Sequence, residues 1–559
     1  MDNRRIFLLA AFLFVGFMLY QSWMLDYGPR PEPQAATPAA ATATGVVNAA
    51  PGIANDAPGA ASGAGTTTAA AVPAPAKLVQ GKTIHVRTDV LDLVIDTAGG
   101  TLRSAELLKY PEDLKDPGQH VRVLDDRDAS LLVLQGGLQA GAGQAAPGAD
   151  AVYTVAQSDY SLAEGSESLK VTLSWSDGHG LAVDKTYTLK RGSYVIGVDY
   201  AVHNGGKSAW QGSAWSQWQN QYTPPHTSMF SATRYDYQKT ALYGADGYQE
   251  HEFKDIAEKP VAVTENGGWA AVVNHYFLAA IIPVAAQGTQ YYSRSLGDSR
   301  FVTGTVSPAA SVAPGASVSF DSTLYVGPKL QNSLAAVAKG LELTVDYGKL
   351  TIIAQPIFWV LDHIERLVGN WGWSILILTL IFKALTYKLN EISGRSMAKM
   401  RQAQPRIKAI QERYKDDRQR QSQAMMELYK KEKINPASGC FPMLIQIPIF
   451  FALYYVLVYS VELRQAPWTL WIHDLSAPDP FYVLPVLYGV AMFIQQHLQP
   501  QPTTDKTQAL MMKFMPLALM IFYMVLPAGL VLYYLANSLI TIAQQRYINK
   551  VIERETKKT

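Results

Sequence analysis

Between about residues 82 and 330, apolar and polar positions alternate. Ile84/Val86, Leu91/Leu93/Ile95 and Val171/Leu173/Trp175 each skip one polar residue, the period of a half-buried strand. Asp177-Gly178-His179-Gly180, Arg191-Gly192-Ser193 and Asn204-Gly205-Gly206 punctuate these runs as turns. The pattern predicts a long antiparallel β-sandwich. Beyond about residue 350 the alternation gives way to long apolar runs. Candidate membrane spans lie at 371–390, 439–461, 481–498, 510–526 and 528–546. The last two are parted only by Leu526-Pro527-Ala528-Gly529, a tight breaker. A further run, Ile6–Leu25, has 20 residues without a charge, about 30 Å as a helix. Residues 350–368 are different again. Ile353, Ile357, Val360, Leu361, Ile364 and Leu367 share a face, with Asp362, Glu365 and Arg366 largely opposite. That pattern suits a helix lying in a membrane interface, and equally one that caps the sandwich.

The chain has 559 residues, too many for one core. Its mean hydropathy of +0.00 averages a polar half and an apolar half. Pro29–Pro75 is rich in Ala, Pro, Thr and Gly and reads as a disordered tether. The single cysteine, Cys440, excludes an intrachain disulfide. The formal charge of +2 matters less than its distribution. Segment 391–437 holds twelve Lys/Arg against six Asp/Glu, and Arg546, Lys550, Arg554, Lys557 and Lys558 make the tail basic. Loop 462–480 has Glu462, Asp474 and Asp479 against Arg464. The positive-inside rule then places both termini and 391–437 in the cytosol and the β region outside. Trp371, Trp373, Trp468 and Trp471 fall at the outer interface, as an aromatic belt should. Arg4 and Arg5 precede Ile6–Leu25. A signal peptide is one reading of that run; its length and the Gln21, Trp23, Asp26 and Tyr27 around its end favour an uncleaved anchor.

Lys383 is the most expensive residue in this arrangement. A lysine at mid-helix costs about 2.5–3.5 kcal/mol on insertion scales. Thr379, Lys383, Thr386 and Asn390 are spaced to share one helical face. Tyr534, Asn537, Ser538, Thr541 and Gln545 form a second stripe on the last span, and span 439–461 adds Gln446 with Pro442 and Pro448. Lipid satisfies none of these groups, so they should face each other or water. Lys383 could also snorkel to an interface, and the stripes could be hydrogen-bonding glue between helices. No Asp or Glu lies in the five C-terminal spans to pair with Lys383, which favours a hydrated cavity. Met511, Met512, Met515, Met520 and Met524, with Phe514 and Phe522, add a flexible apolar surface on the fifth span. Segment 391–437 reads as a helical hairpin, Met397–Tyr414 and about Arg418–Glu432. Its Arg401, Arg406, Lys408 and Arg413 suit anionic lipid, ribosomal RNA or nascent chains.

Catalytic signals are missing. There is no HExxH spacing, P-loop, nucleophile elbow or supported carboxylate pair. The sequence calls for no cofactor, no metal and no enzyme activity. Trp210, Trp215 and Trp218 could meet a sugar or an extended peptide, although such clusters are usually core.

Several long motifs carry a family resemblance: SMAKMRQAQPRIKAIQERYKDD, INPASGCFPMLIQIPIFFALYYVL, VELRQAPWTLWIHDLSAPDPFYVLP and GLVLYY, with LDLVIDTAGG, NGGWAAVVNHYF and TLYVGPK in the outer part. With these the chain resembles the YidC membrane protein insertases of Gram-negative bacteria, relatives of the Oxa-type and Alb-type insertases. The resemblance implies a polytopic α-helical membrane protein. Six transmembrane helices are expected, five forming the insertase core, with an all-β periplasmic supersandwich. The implied domains are an anchor (1–28), a linker (29–80), the supersandwich (81–345), an amphipathic interfacial helix (346–369), the core (370–548, including hairpin 391–437) and a basic tail (549–559). It implies residence in the bacterial inner membrane, with residues 29–370 periplasmic. It also implies a hydrophilic groove open to the cytosol, whose basic residue attracts a substrate's polar tail. That residue is usually arginine; here Lys383 keeps the charge and loses the five-donor fork. Matching groove positions are Thr379 and Tyr534, with Phe450 and Phe522 on an apolar slide. Thr386, Gln446, Asn537 and Ser538 join the groove, and Met515 the slide, on the helical spacing above. Implied partners are nascent inner-membrane proteins and the Sec translocon (SecYEG, SecDF); the basic loops add the ribosome and anionic phospholipids. Two other classes stay open from the residues alone: a secondary transporter with a midplane site, and a periplasmic glycan- or peptide-binding module on an anchor.

Overall fold

A computed structural model of the chain describes residues 79–224, 237–284, 288–415, 417–432, 441–498 and 506–558. The expected anchor (1–28) and nearly all of the linker (29–80) lie outside the described residues. The alternating segments fold into two large sheets. The first runs Val261–Glu265, Thr289–Gly297, Arg300–Val306, Trp210–Gln221, Leu132–Ala140, Thr101–Asp113, Leu91–Asp96, Thr83–Arg87 and Asp159–Ser161, with Ala310–Val312 and Asp116–Leu124 pairing off this path. The second runs Gly247–His251, Gln238–Gly244, Trp269–Asn274, Phe277–Pro283, Ser317–Pro328, Val195–Asn204, Leu181–Lys190, Ser168–Ser176 and Thr154–Val155. Pairing is antiparallel apart from Thr83–Arg87 beside Asp159–Ser161.

The sequence period explains the layers. In Leu181–Lys190 the odd positions Leu181, Val183, Lys185, Tyr187 and Leu189 are buried and the even ones are exposed or half-exposed. Trp210, Trp215 and Trp218 are all interior, so they pack the sandwich and present no ligand face. One interior position is a lysine. Lys185 donates to the carbonyls of Gly99 (3.0 Å), Gly100 (2.9 Å) and Gly136 (3.5 Å). Its ammonium also lies 5.4 Å and 5.1 Å from the ring centroids of Tyr187 and Tyr200. Gly99 and Gly100 have positive φ, so their carbonyls turn inward without a Cβ penalty. Burial pushes the Lys185 pKa down to about 7.

Among the described residues the apolar half forms eight α-helices: α1 (Thr351–Val368), α2 (Trp371–Leu385), α3 (Tyr387–Arg413), α4 (Arg418–Lys431), α5 (Phe441–Tyr459), α6 (Val483–Leu498), α7 (Lys506–Tyr523) and α8 (Ala528–Lys558). All belong with the sandwich to one unit, Thr68–Thr559. No single described helix is long and apolar enough to cross a membrane. The pair α2 plus Tyr387–Ser396 meets that test together, bent by 63°. The helix expected over 371–390 is therefore broken. Thr386 sits at the break with φ −88° and ψ 3°, its hydroxyl donating to Phe382 O at 2.7 Å. Such back-bonding competes with the helical ladder and bends it. As a result the first hairpin helix starts at Tyr387, ten residues before the expected Met397. The basic tail continues α8 as helix through Lys558.

Helix α1 packs against α2 and α5 and buries Ala354, Ile357, Phe358, Leu361 and Asp362. Asp362 was expected on the polar face. It turns inward because Arg366, one turn on, meets its carboxylate at 2.8 Å. Leu367, expected on the apolar face, is 88% exposed. At the outer end, residues 460–482 fold over the core. Ala528 and Gly529 donate to Ala477 O and Leu475 O at 2.7 and 2.9 Å. Asp479 accepts from Trp471 Nε1, Phe481 N and Leu484 N, capping the start of α6.

Replacing Lys185 with Met would leave the Gly99 and Gly136 carbonyls buried without that donor. At about 1–3 kcal/mol for each of these two orphaned groups, Lys185→Met should destabilise the sandwich by about 2–6 kcal/mol. Thermal unfolding of the full chain, followed by near-ultraviolet circular dichroism, measures it.

Candidate functional site

The polar stripes predicted on α2 and α8 meet at one point. Lys383 Nζ donates to Thr541 Oγ1 at 2.8 Å, and Thr541 Oγ1 in turn donates to Asn537 O at 2.7 Å. Thr541 thus accepts the charge with a lone pair while its own proton is held by the helix backbone. Lys383 is only partly buried, and among the described residues it makes no ion pair. A second cross-link joins α5 to α8, where Gln446 Nε2 donates to Tyr533 OH at 2.9 Å.

The remaining groove candidates are distributed unevenly. Thr379 is fully buried and its hydroxyl donates to Ile375 O at 2.7 Å, so it bonds within its own helix. Ser538 and Tyr534 are also buried. Asn537 contributes its backbone carbonyl to Thr541. Thr386 and Asn390 lie at and beyond the bend, joined by an Asn390 Nδ2 to Thr386 Oγ1 bond of 3.2 Å. The single stripe expected on one helix is thus divided between two. Thr379 and Lys383 stay on α2, and Asn390 turns away with α3.

The apolar side is continuous. Met515 and Phe522 are exposed on α7. The Phe522 ring meets Tyr523 at 5.8 Å, Tyr523 meets Tyr534 at 5.5 Å, and Tyr534 meets Phe450 of α5 at 5.3 Å, all edge-on or steeply inclined. Tyr488 of α6 closes the cluster, 4.5 Å from Tyr523 and 6.0 Å from Tyr534. Sequence reasoning missed Tyr488, Tyr523 and Tyr533. The available signal was three tyrosines inside apolar runs, where a phenolic hydroxyl needs a partner.

On the hairpin, Arg401, Arg406, Lys408 and Arg413 all lie on α3. Arg406 pairs with Glu432 at the far end of α4, while Lys408 and Arg413 are exposed. Met400, Ala403 and Ile407 of α3 pack on Met425 and Tyr429 of α4 and hold the hairpin closed. Among the described residues no group of three or more His, Cys, Asp or Glu is placed to hold a metal ion.

Removing the Thr541 hydroxyl takes away the neutral acceptor of a partly buried cation. Thr541→Val should lower stability by about 1–3 kcal/mol, and Thr541→Ser should stay close to the parent. Thermal inactivation midpoints in detergent distinguish them.

Comparison with known proteins places this geometry in a family. Residues 83–360 match the YidC periplasmic domain and residues 363–556 match the 60Kd inner membrane protein family. A membrane protein insertase YidC from Nitrosococcus oceani is 43% identical over 99% of this chain and all of its own length. One from Methylococcus capsulatus is 43% identical over all of this chain and 99% of its own. A crystal structure of an active YidC insertase with its first transmembrane domain resolved covers 83% of this chain and 92% of its own, at 21% identity and a TM-score of 0.39. With two relatives this similar from end to end, the chain belongs to the YidC family of membrane protein insertases, inner-membrane proteins that carry a periplasmic domain.

Proposed function

We propose that the protein inserts nascent inner-membrane proteins, and helps them fold, through a hydrophilic groove walled by α2, α5 and α8 and open to the cytosol. The observation that carries this reading is Lys383, a partly buried cation on α2 whose described partner is a neutral hydroxyl on α8. An ammonium held this way keeps its charge available to an incoming carboxylate. The Thr541 bond orients it without neutralising it. Thr379, Thr386, Gln446, Tyr534, Asn537 and Ser538 supply the polar surroundings. The Phe522–Tyr523–Tyr534–Phe450 chain, with Met515, offers the substrate's apolar segment a path toward lipid. The physical work is to lower a barrier. A polar tail that enters a hydrated pocket has less hydrocarbon to cross, and the cation adds attraction for acidic tails. No covalent step is needed.

Around this core we assign the domains as expected from the sequence: anchor 1–28, linker 29–80, supersandwich 81–345, interfacial helix 346–369, core 370–548 and tail 549–559. Both termini and the hairpin 391–437 are cytosolic, and 29–370 are periplasmic. The exposed Lys408 and Arg413 suit the ribosome and anionic phospholipids as partners, and the basic sequence of the tail adds to that charge. The outer domain faces the Sec translocon, SecYEG and SecDF.

Charge reversal tests the groove. Lys383→Glu should reduce insertion of acidic-tailed, Sec-independent substrates about tenfold or more, the scale of one lost charge-assisted contact of 1.5–3 kcal/mol. Lys383→Arg should retain insertion. Normal insertion of every acidic-tailed substrate by Lys383→Glu would end the proposal. Cysteines placed singly at 379, 383 and 534 should differ in labelling by a polar thiol reagent from the cytosol. Position 383 should react fastest, because Thr379 and Tyr534 are buried.

A further inference from the structure

The outer end of α5 is held by the β-sandwich as well as by other helices. His275, in the turn between strands Trp269–Asn274 and Phe277–Pro283, donates from Nε2 to Val458 O at 2.6 Å. Its ring stacks on Tyr459 with centroids 4.9 Å apart and planes 5° from parallel. Tyr347, fully buried just before α1, shares a 2.9 Å hydrogen bond with Ser460 Oγ. Gln331, after the last long strand, donates from Nε2 to Tyr347 OH (2.5 Å) and to Ser460 Oγ (3.3 Å), and from its backbone N to Glu462 Oε1 (3.1 Å). One turn further, Arg464 Nη2 and Gln465 Nε2 each reach the carbonyls of Pro111 and Glu112 at the tip of strand Thr101–Asp113. A helix C-terminus leaves its last carbonyls without intrahelical donors. Here the outer domain supplies one of those donors and grips the residues that follow.

We propose that this joint positions α5: His275, Gln331 and Tyr347 are positioning residues that fix the outer end of the helix carrying Gln446 and Phe450, so a displacement of the outer domain moves the groove wall. The proposal rests on the reading of α5 as a wall of the groove. Its geometry makes the coupling direct. Helix α5 runs from Phe441 to Tyr459 with Pro448 inside it, and its inner part is tied to α8 through Gln446 and Tyr533. A shift imposed at Ser460 is therefore opposed only at that inner bond and at side-chain packing.

Glu462 gives the joint a chemical handle. Its Oε2 is buried and has no hydrogen-bond partner among the described residues. Facing it are Tyr110 and Tyr325 of the sandwich, Tyr347 just before α1, and Asp362 of α1. Among the described residues none of these forms an ion pair with it, and Asp362 already pairs with Arg366. Burial pushes the Glu462 carboxyl up from 4.5 to about 7. A carboxyl whose pKa is higher in the docked state favours docking while protonated. Docking is strongest below about 4.5, weakens by up to tenfold per pH unit toward about 7, and is level beyond.

The test uses the full-length protein in phospholipid vesicles, with Cys440→Ser and spin labels on cysteines at Lys170 and Leu470, both exposed. Electron–electron resonance distances should give one narrow population at pH 5 and a second, broader one at pH 8. Glu462→Gln should stay narrow at both. Tyr347→Phe should lower the docked-to-undocked ratio about five- to tenfold at pH 5, the scale of one buried hydrogen bond. In the same vesicles, insertion of a purified single-span polypeptide with a neutral polar tail should fall with rising pH for the parent, fall at all pH values for Tyr347→Phe, and lose its pH response in Glu462→Gln. Distances unaffected by pH and by Tyr347→Phe would overturn the joint. Distances that respond while insertion does not would overturn its positioning role. Lys383→Glu, assayed beside them on acidic tails, separates these results from failure of the groove itself.

Discussion

Much of the membrane half follows from one constraint: a polar group away from water is costly unless it finds a partner within the chain. Lys383 meets it with Thr541, Gln446 with Tyr533, Thr379 with its own backbone, and the end of α5 with His275. These bonds cross-link α2 to α8, α5 to α8, and α5 to the sandwich. The apolar residues fill the space between, but they would tolerate other registers of helix on helix. The hydrogen bonds select one.

The same constraint explains the outer plug. Residues 460–482 carry backbone groups that no regular element satisfies. They are met by Ala528 and Gly529 at the start of α8, by Asp474 and Asp479, and by bonds within the loop. Gly372 must be small because a Cβ there would lie 2.1 Å from Trp468 Cδ1. The outer end is thus closed by fitted parts, whereas Lys383 at the other end of α2 remains partly exposed.

The sandwich was legible because its period is two and its faces differ: Leu181 to Leu189 alternates in burial as it alternates in polarity. The helical runs were legible by length, and the Pro527 breaker by its chemistry. The bend at Thr386 was not, since a threonine that bonds its own helix looks the same in sequence as one that faces water. Asp362 misled for a related reason: an acid on a helix is assigned outward unless its i+4 arginine is followed inward with it. The Lys383–Thr541 contact was half visible. Both stripes could be read, but spacing along one helix says nothing about which residue of the other it meets. The joint at His275 was invisible, because residues 275 and 458 are brought together only by the tertiary fold.

The break at Thr386 also sets a length. Helix α2 has 15 residues, about 22 Å of rise at 1.5 Å each. A bilayer's hydrocarbon layer is about 30 Å thick. Lipid beside this helix meets a hydrophobic belt shorter than its own layer, and thinning to match it costs fractions of a kcal/mol per ångström. One bent helix thereby changes the solvent as well as the protein.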